Sequence, residues 1–220
     1  MPIVYFVLLF FSSFSYLTET DEELLVSLGK NWNFLPSADE IPSEKIKFHN
    51  SSHAKELFNL SAGSWISRGS GQESLISLRS PVLTGSGACG SFLILEDGLP
   101  IRPAGFCNVN YLFETSLNLA SQVETLKGPS SARFGGNALH GAINIQTLDI
   151  DDKNYLRTEV DKEGSFKSSF KYQESKNWIL GISLESDKGF RDFSGFDQQK
   201  LISKTNNDVK NWKATTFFSL

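Results

Sequence analysis

The last third of the chain alternates apolar and polar side chains over segments of about ten residues, and this pattern constrains the fold most. Successive side chains of a strand point to opposite faces, so each segment predicts a strand with one apolar and one polar face. About five such strands fit after Leu148, too few to close a barrel, since the smallest closed barrels need about eight. Two structures give this alternation and both stay open: a membrane β-barrel wall, or a soluble antiparallel sheet that buries its apolar face. The apolar sets are Phe166, Phe170 and Tyr172; Trp178, Leu180, Ile182 and Leu184; and Trp212, Ala214 and Phe218.

Charge and hydropathy exclude several classes of function. The 220 residues include 21 Lys and Arg against 25 Asp and Glu, which gives a formal net charge of −4. Binding to nucleic acid requires clustered positive charge against the phosphates, so no nucleic-acid partner is expected. No stretch reaches the roughly 18 apolar residues that cross a bilayer as a helix, which excludes a multi-span helical protein.

The first residues predict export. Residues 3–11 are almost wholly apolar, and the small side chains of Ser13 and Ser15 follow at the spacing of a signal-peptidase site, although no Lys or Arg precedes them. We therefore expect a signal peptide over residues 1–15, with a buried N-terminal strand or a wrongly assigned start of the chain as the alternatives. Acidic residues and two prolines follow, so residues 16–44 are expected to form an extended linker.

Export would bring the two cysteines of the chain, Cys89 and Cys107, into an oxidising compartment. We expect them to form a disulfide that closes a loop of about 18 residues and stabilises the fold by about 3 kcal/mol. Free thiols in the exported protein would contradict this pairing.

No motif indicates catalysis or metal binding. His49 and His53 stand four residues apart, but no third ligand is near in sequence, so a solvated pair is favoured over a metal site. The glycines from Gly85 to Gly90 match a dinucleotide-binding motif, but an apolar strand follows where that motif requires a helix. We therefore expect no catalytic residue, no metal and no cofactor.

The middle of the chain predicts a domain of short strands and helices. Asp97-Gly98 is the strongest hairpin signal, because a type I′ turn needs positive φ at both positions. One helix is expected from an N-cap at Ser52 through Phe58, and a second over Phe113–Gln122. Strands are expected at Trp65–Ser67, Ser74–Arg79, Ser91–Glu96, Val123–Leu126 and Ala142–Thr147, and turns at Lys162–Gly164 and Asn206–Asp208.

Four blocks of this domain together resemble a known family in their order and spacing. They are Leu75-Ile-Ser-Leu-Arg79, Phe92-Leu-Ile-Leu-Glu-Asp-Gly98, Gln122 to Gly135 with its Lys-Gly-Pro, and Asn137 to Thr147 with its Gly-Ala-Ile-Asn-Ile. The set resembles the plug domain of TonB-dependent outer-membrane receptors. The segment with the two cysteines resembles a subgroup of that family whose plug carries such a pair.

The resemblance implies an architecture. Residues 45–148 would form an α+β plug domain, a small mixed sheet with short helices. Residues 149–220 would begin a transmembrane β-barrel as antiparallel β-strands. A family barrel has about 22 strands, more than this chain can supply, so the barrel would be incomplete and the chain a fragment or a truncated gene product.

The resemblance also implies contact residues for a substrate. In the family, loops of the plug face the outside and touch the substrate, and Arg68, Phe106, Asn108 and Asn110 stand in such loops here. The alternative for these residues is packing against the wall.

Two cationic residues, Arg79 and Lys127, stand where family plugs pair with glutamates on the inner wall. Lys127 replaces the usual Arg, which keeps the charge and loses the two-pronged guanidinium contact. The partner glutamates of this latch would lie beyond Leu220.

The function implied is uptake across the outer membrane of a Gram-negative bacterium. The ligand would be a scarce small molecule or metal chelate, such as a siderophore or a vitamin, admitted by gating of the plug within surrounding lipid. The partner would be the inner-membrane TonB protein, which pairs with an exposed segment (a TonB box) that Glu19–Val26 is placed to provide. The alternative is a secreted or periplasmic soluble β-rich binding module.

Overall fold

The computed structural model describes residues 15–17, 37–69, 71–81, 91–102, 108–149, 153–175, 177–189, 191–209 and 212–219. Its strands are β1 (Ser15–Leu17), β2 (Ala38–Pro42), β3 (Ser64–Ser67), β4 (Leu75–Leu78), β5 (Phe92–Glu96), β6 (Leu99–Pro100), β7 (Ala120–Lys127), β8 (Gly141–Thr147), β9 (Tyr155–Val160), β10 (Phe166–Ser175), β11 (Trp178–Asp187), β12 (Phe196–Val209) and β13 (Trp212–Ser219). Its α-helices are α1 (Ser43–His49), α2 (Ala54–Phe58), α3 (Tyr111–Glu114) and α4 (Ser131–Phe134), with 3-10 helices at Leu117–Leu119 and Gly136–Ala138. No helix in these ranges combines the length and the apolar composition needed to cross a membrane.

A five-stranded sheet organises the described residues between 37 and 149, which we call the globular unit. Its strand order is β2-β7-β8-β5-β6. β5 and β8 are parallel and the other neighbours are antiparallel, so the sheet is mixed. This confirms the predicted α+β class. The sheet begins with β2, so the folded unit starts within the residues expected to form a linker.

Apolar side chains cover both faces of this sheet. On one face Phe92 and Ile94 join the main core, which includes the fully buried Phe58 and Ile66 from α2 and β3. On the other face Leu93 and Leu95 join a smaller cluster with Leu126, Ala138 and Ala142. Burial on both faces explains why β5 is a continuous apolar run rather than an alternating one.

The turn between β5 and β6 has the predicted geometry. Asp97 and Gly98 have φ values of 51° and 81°, which confirms positive φ at both positions. The Asp97 carboxylate accepts hydrogen bonds from the backbone N–H and the hydroxyl of Thr147, at the end of β8. The Gly98 N–H donates to Asn144 Oδ1 at 2.9 Å, so both turn residues are tied to β8.

The helix predicted over Phe113–Gln122 is wrong. α3 ends at Glu114, Thr115 is extended, and the chain passes through one 3-10 turn into β7. The Thr115 hydroxyl donates to the Leu112 carbonyl, a local bond that competes with helix continuation. Pairing of β7 with β2 and β8 then outweighs the weak helical periodicity of the leucines.

Two smaller expectations are also corrected. The N-cap of α2 is His53 rather than Ser52, because the imidazole Nδ1 accepts a hydrogen bond from the Lys55 N–H at 3.0 Å.

The residues Asn206–Asp208 lie inside β12 rather than in a turn. Their backbone pairs with residues of β13, and this ladder overrides the turn preference of Asn and Asp.

The second sheet, which we call the wall sheet, has six strands in the order β1-β13-β12-β11-β10-β9, and all its neighbours are antiparallel. The register places Phe170 opposite Ile182 on one face. It places Ser183 opposite Lys200 on the other face. The predicted alternation therefore continues across the strands, so that one face of the sheet is apolar and the other is polar.

Gly141 provides a test of the sheet's close packing. Its φ is 149°, and a Cβ there would lie 2.4 Å from the Leu126 carbonyl oxygen. We expect Gly141→Ala to lower the free energy of unfolding by about 3 kcal/mol or more, because of backbone strain and this contact. Gly136→Ala is the control, because a Cβ there meets nothing within 4 Å. Urea unfolding in detergent measures both variants, and equal losses would contradict the expectation.

His53 predicts a pH dependence of stability. Burial lowers the pKa of its imidazole below the ordinary value of 6.5, and the nearby Arg68 charge lowers it further. The unfolded chain therefore takes up the proton first, so the stability from this residue is complete above about pH 6.5 and is lost as the pH falls through the folded pKa. His53→Asn keeps a capping side chain. We expect it to lose less stability than the original chain between about pH 7 and about pH 5 in urea unfolding; an unchanged loss would be evidence against this role.

Candidate functional site at the interface of the two units

The polar face of the wall sheet packs against the globular unit, and its apolar face points away. Lys171 and Glu185 on the polar face are 1% and 5% exposed. Leu156 and Val160 on the apolar face are 72% and 70% exposed. A soluble sheet that uses the globular unit as its core would have the opposite orientation.

Basic side chains of the wall sheet donate to backbone carbonyls of the globular unit. Lys167 Nζ donates to the Asn50 carbonyl at 2.8 Å, and Arg157 donates to that of Lys47, both at the carboxyl end of α1. Lys200 Nζ donates to the Glu114 carbonyl at 2.5 Å, at the end of α3. Helix ends leave carbonyls without intrahelical partners and carry partial negative charge, so cations are favourable there.

Two further lysines hold the end of β8 and the segment after it. Lys171 donates to the Asp149 carbonyl, and Lys204 donates to the Thr147 carbonyl. Lys204 Nζ also lies 2.7 Å from Asp97 Oδ1, in an ion pair whose side chains are largely buried. The Asp97 turn is therefore the point where β5, β8 and the wall sheet are joined.

One small apolar contact accompanies these polar ones. Leu119 and Leu148 of the globular unit pack against Ile179 and Ile202 of the wall sheet, and all four are buried. Gly181 lies beside them, and a Cβ there would come within 2.9 Å of both Cδ atoms of Leu148. The two units therefore approach closely at this point, and a side chain at position 181 would require Leu148 to shift.

Three of the four predicted substrate-facing residues, Arg68, Asn108 and Asn110, lie in loops that the structure brings together. The Ser74 N–H donates to the Val109 carbonyl at 2.7 Å, which joins the loop after Arg68 to the loop containing Asn108 and Asn110. Arg68 Nε donates to the Gly71 carbonyl at 2.9 Å.

The second of these loops is braced from within. Asn108 Nδ2 donates to Glu114 Oε1 at 2.6 Å, and its Oδ1 accepts from the Asn110 N–H. Phe106, Cys89 and Cys107 lie outside the described residues, so the disulfide stays a prediction.

The two predicted latch residues have different surroundings. Lys127 is buried, and its Nζ lies 3.0 Å from Asp39 Oδ2 on β2 and donates to the Ala62 carbonyl. Arg79 is exposed with φ of 54°, and its N–H donates to the Gly63 carbonyl. Within the described residues Arg79 makes no ion pair, whereas Lys127 already has a carboxylate partner.

Asp39 is the carboxylate that binds both Lys127 and Ser61. Partial burial alone would raise the pKa of its carboxyl, but the hydrogen bonds from Ser61 and Lys127 and the Lys127 charge outweigh it, so the pKa lies below its usual value. Its carbonyl also accepts from the Thr125 hydroxyl. Asp39 therefore holds β2 to β7 through side chain and backbone together.

Aromatic side chains cluster on the apolar face of the wall sheet near the turn between β10 and β11. Tyr172 and Trp178 are in edge contact at 6.1 Å, and Phe170 stacks on Tyr172 at 6.4 Å. Trp178 Nε1 donates to the Ser203 hydroxyl at 3.2 Å. Aromatic rings of this kind form girdles where a membrane barrel meets the lipid–water boundary.

Sequence reasoning did not find the basic residues of the wall sheet or Asp39. Lys167 with Lys171, and Lys200 with Lys204, stand four residues apart on polar faces of their strands, which places each pair on the same side. That spacing was a usable signal for the interface. Their partners are backbone carbonyls, which every residue has, so the sequence does not show which of them will accept.

A family comparison covers the globular unit. The sequence profile of the TonB-dependent receptor plug domain matches residues 34–142. This range includes β2, β5, β6 and β7 of the central sheet and the first two residues of β8.

Solved structures match both units together. The ferric yersiniabactin uptake receptor FyuA from Yersinia pestis superposes with a TM-score of 0.61 at 19% identity, over 83% of this chain and 30% of that one. The hemophore receptor HasR of Serratia marcescens gives 0.63 at 15% identity, over 83% and 31%. The siderophore receptor PirA from Pseudomonas aeruginosa gives 0.55 at 20%, over 84% and 35%.

The chain spans about a third of the length of these receptors, and the shared part is the fold of the globular unit with the wall strands that follow it. From the profile match, the mixed sheet and the inward polar face of the wall sheet, the chain belongs to the TonB-dependent outer-membrane receptors of Gram-negative bacteria, with the globular unit as its plug domain.

Proposed function

We propose that this chain supplies the plug and the first wall strands of a receptor that takes up a scarce nutrient across the outer membrane. The observation that carries the proposal is the orientation of the wall sheet. Its apolar side chains point away from the plug, where hydrocarbon would cover them, and its polar side chains meet the plug. This is the arrangement expected of a barrel wall around a plug.

The ligand class we propose is a metal chelate, in particular a ferric siderophore or heme. The named ligands of the similar receptors, ferric yersiniabactin and heme among them, support this class. Contact would begin at the two joined plug loops that contain Arg68, Asn108 and Asn110. Their packing through Ser74 and Val109 supports a single contact surface.

Energy coupling would act through the N-terminal segment. We propose that residues 18–36, between β1 and β2, lie on the periplasmic side and carry the segment that TonB binds by strand addition. A pull on that segment loads β1 in the wall sheet on one side and β2, an edge strand of the plug, on the other. On the plug side, the Asp39–Lys127 pair would then be the first contact to bear the load.

The latch to wall glutamates would be carried mainly by Arg79. Its guanidinium is exposed and makes no ion pair within the described residues, so it can reach a further carboxylate. Lys127 is already satisfied by Asp39 within the plug. The Lys at this position thus supports a role inside the plug, in place of a contact with the wall.

The soluble binding module, our alternative from the sequence, would need a partner sheet over the apolar face. The aromatic cluster of Phe170, Tyr172 and Trp178 lies on that face. Its position at one end of the strands fits a lipid–water boundary better than the centre of a soluble core.

The proposal predicts that Trp178 contacts lipid. A variant that keeps Trp178 alone, with Trp32, Trp65 and Trp212 changed to Phe, is reconstituted in vesicles whose acyl chains carry bromine. We expect strong quenching of its fluorescence by the brominated lipid, because Trp178 lies on the outward face.

The control keeps Trp65 alone. Trp65 lies on β3 of the plug and is 54% exposed, so aqueous acrylamide and not brominated lipid should quench it. Lipid quenching that is equal for the two variants, or absent for Trp178, would contradict the membrane wall.

The coupling proposal predicts a mechanical effect of Asp39→Asn. Pulling the detergent-folded chain from residue 36, after β1 and just before β2, in a single-molecule experiment should detach β2 at lower force, because the variant loses its ion pair with Lys127. Detachment is expected to be several-fold faster, as for loss of a partly exposed pair worth up to about 1 kcal/mol. Glu44→Gln, an exposed glutamate next to β2, is the matched control. First-rupture forces that are equal in both variants would argue against this contact as the load-bearing one.

A further inference from the structure

A cavity of about 480 Å³ lies between the plug and the first two strands of the wall sheet. Its plug side is formed by the end of α1, by α2 and by the 3-10 turn before β7. Its wall side is formed by the start of β9 and by Ser169 of β10. This volume is within the range of small-molecule sites, which run from about 300 to about 1,000 Å³.

Among the described residues, the charged side chains that line the cavity are basic. They are Lys47 on α1, Lys153 just before β9, and Arg157 on β9, and no described carboxylate is in this lining. Lys47 Nζ lies 5.6 Å from the centre of the Tyr155 ring, which also lines the cavity. Positive charge beside an aromatic ring in a recess favours an anionic ligand with an apolar part.

Arg157 is held in a fixed position at the cavity. Its Nε and Nη2 contact Glu159 Oε1, and Glu159 Oε2 accepts from Asn50 Nδ2 at 2.6 Å. A third contact runs from Nη1 to the Lys47 carbonyl. A guanidinium has five N–H groups, so this bracing leaves donors that can face a ligand. Glu159 therefore orients the guanidinium at the cavity.

The inner side of the cavity is apolar with one unused hydroxyl. Ile46, Leu57 and Leu117 are 7%, 1% and 8% exposed and form its floor. Ser51 lines the cavity as well, and within the described structure its buried hydroxyl has no hydrogen-bond partner. A buried polar group without a partner is uncommon and marks a place where a ligand atom can bond.

We propose that this cavity is a binding site for a small amphipathic anion, an aromatic or short acyl carboxylate. Its charged group would meet Lys47, Lys153 and Arg157, and its apolar part would lie on the floor of leucine and isoleucine. The site is separate from the plug loops that contain Arg68, Asn108 and Asn110, since none of these lines the cavity. The proposal concerns binding by the chain itself and stands whether or not uptake is demonstrated.

The test compares two probes of the same shape and different charge. Fluoronaphthoate and its neutral counterpart fluoronaphthamide are titrated into the full chain folded in detergent, with fluorine NMR line widths as the readout and detergent alone as the blank. We expect the carboxylate to bind at least about fivefold more tightly than the amide, as for one or two favourable charge contacts, and more weakly as salt is raised.

Charge variants then locate the site. The double variant Lys47→Gln with Lys153→Gln should weaken carboxylate binding by about fivefold or more and leave amide binding unchanged. The control is Lys45→Gln with Lys162→Gln, which removes the same charge from exposed lysines outside the cavity and should bind like the original chain. Equal binding of the two probes, or equal loss in both double variants, would overturn the proposal. Lys153 is exposed, so its single variant gives the same readout if the double variant is unstable.

Discussion

The structure depends on how the basic side chains of the wall sheet are satisfied. Four lysines and one arginine point inward and donate to backbone carbonyls at the ends of α1, α3 and β8 and beyond it. A buried ammonium without partners would be costly, and so would a helix end without acceptors for its carbonyls. The basic side chains and the backbone carbonyls satisfy each other's hydrogen bonds, so the two units fit together in one orientation. That orientation determines which face of the wall sheet points outward.

The composition of the outward face follows from these inward contacts. Because side chains alternate along a strand, fixing the lysines inward turns Phe170, Ile182 and Leu201 outward in register. The same alternation places Tyr172 and Trp178 beside each other at one end of the sheet. Membrane placement is in this sense a consequence of the polar contacts at the opposite face.

Much of this was visible in the sequence, and the failures have a common cause. Period-two alternation gave the wall faces, and Asp97-Gly98 gave its turn, because both signals are local. The helix predicted over Phe113–Gln122 is wrong because its leucines fit a helix as well as they fit the 3-10 turn and the strand β7 that the chain forms there. The latch expected at Lys127 stays a prediction, but nothing in the sequence indicated its carboxylate partner within the plug, Asp39, which is 88 residues away. Pairings across such distances, and those to backbone carbonyls, leave no pattern to read.

The apolar contact of Leu119, Leu148, Ile179 and Ile202 is a small part of the interface between the plug and the wall sheet. Among the described residues, most of what joins plug and wall is polar, and water can replace a polar contact at small net cost. Water could therefore enter this interface without exposing a large apolar surface. Among the described contacts, the four-residue cluster is the part that water would replace least readily.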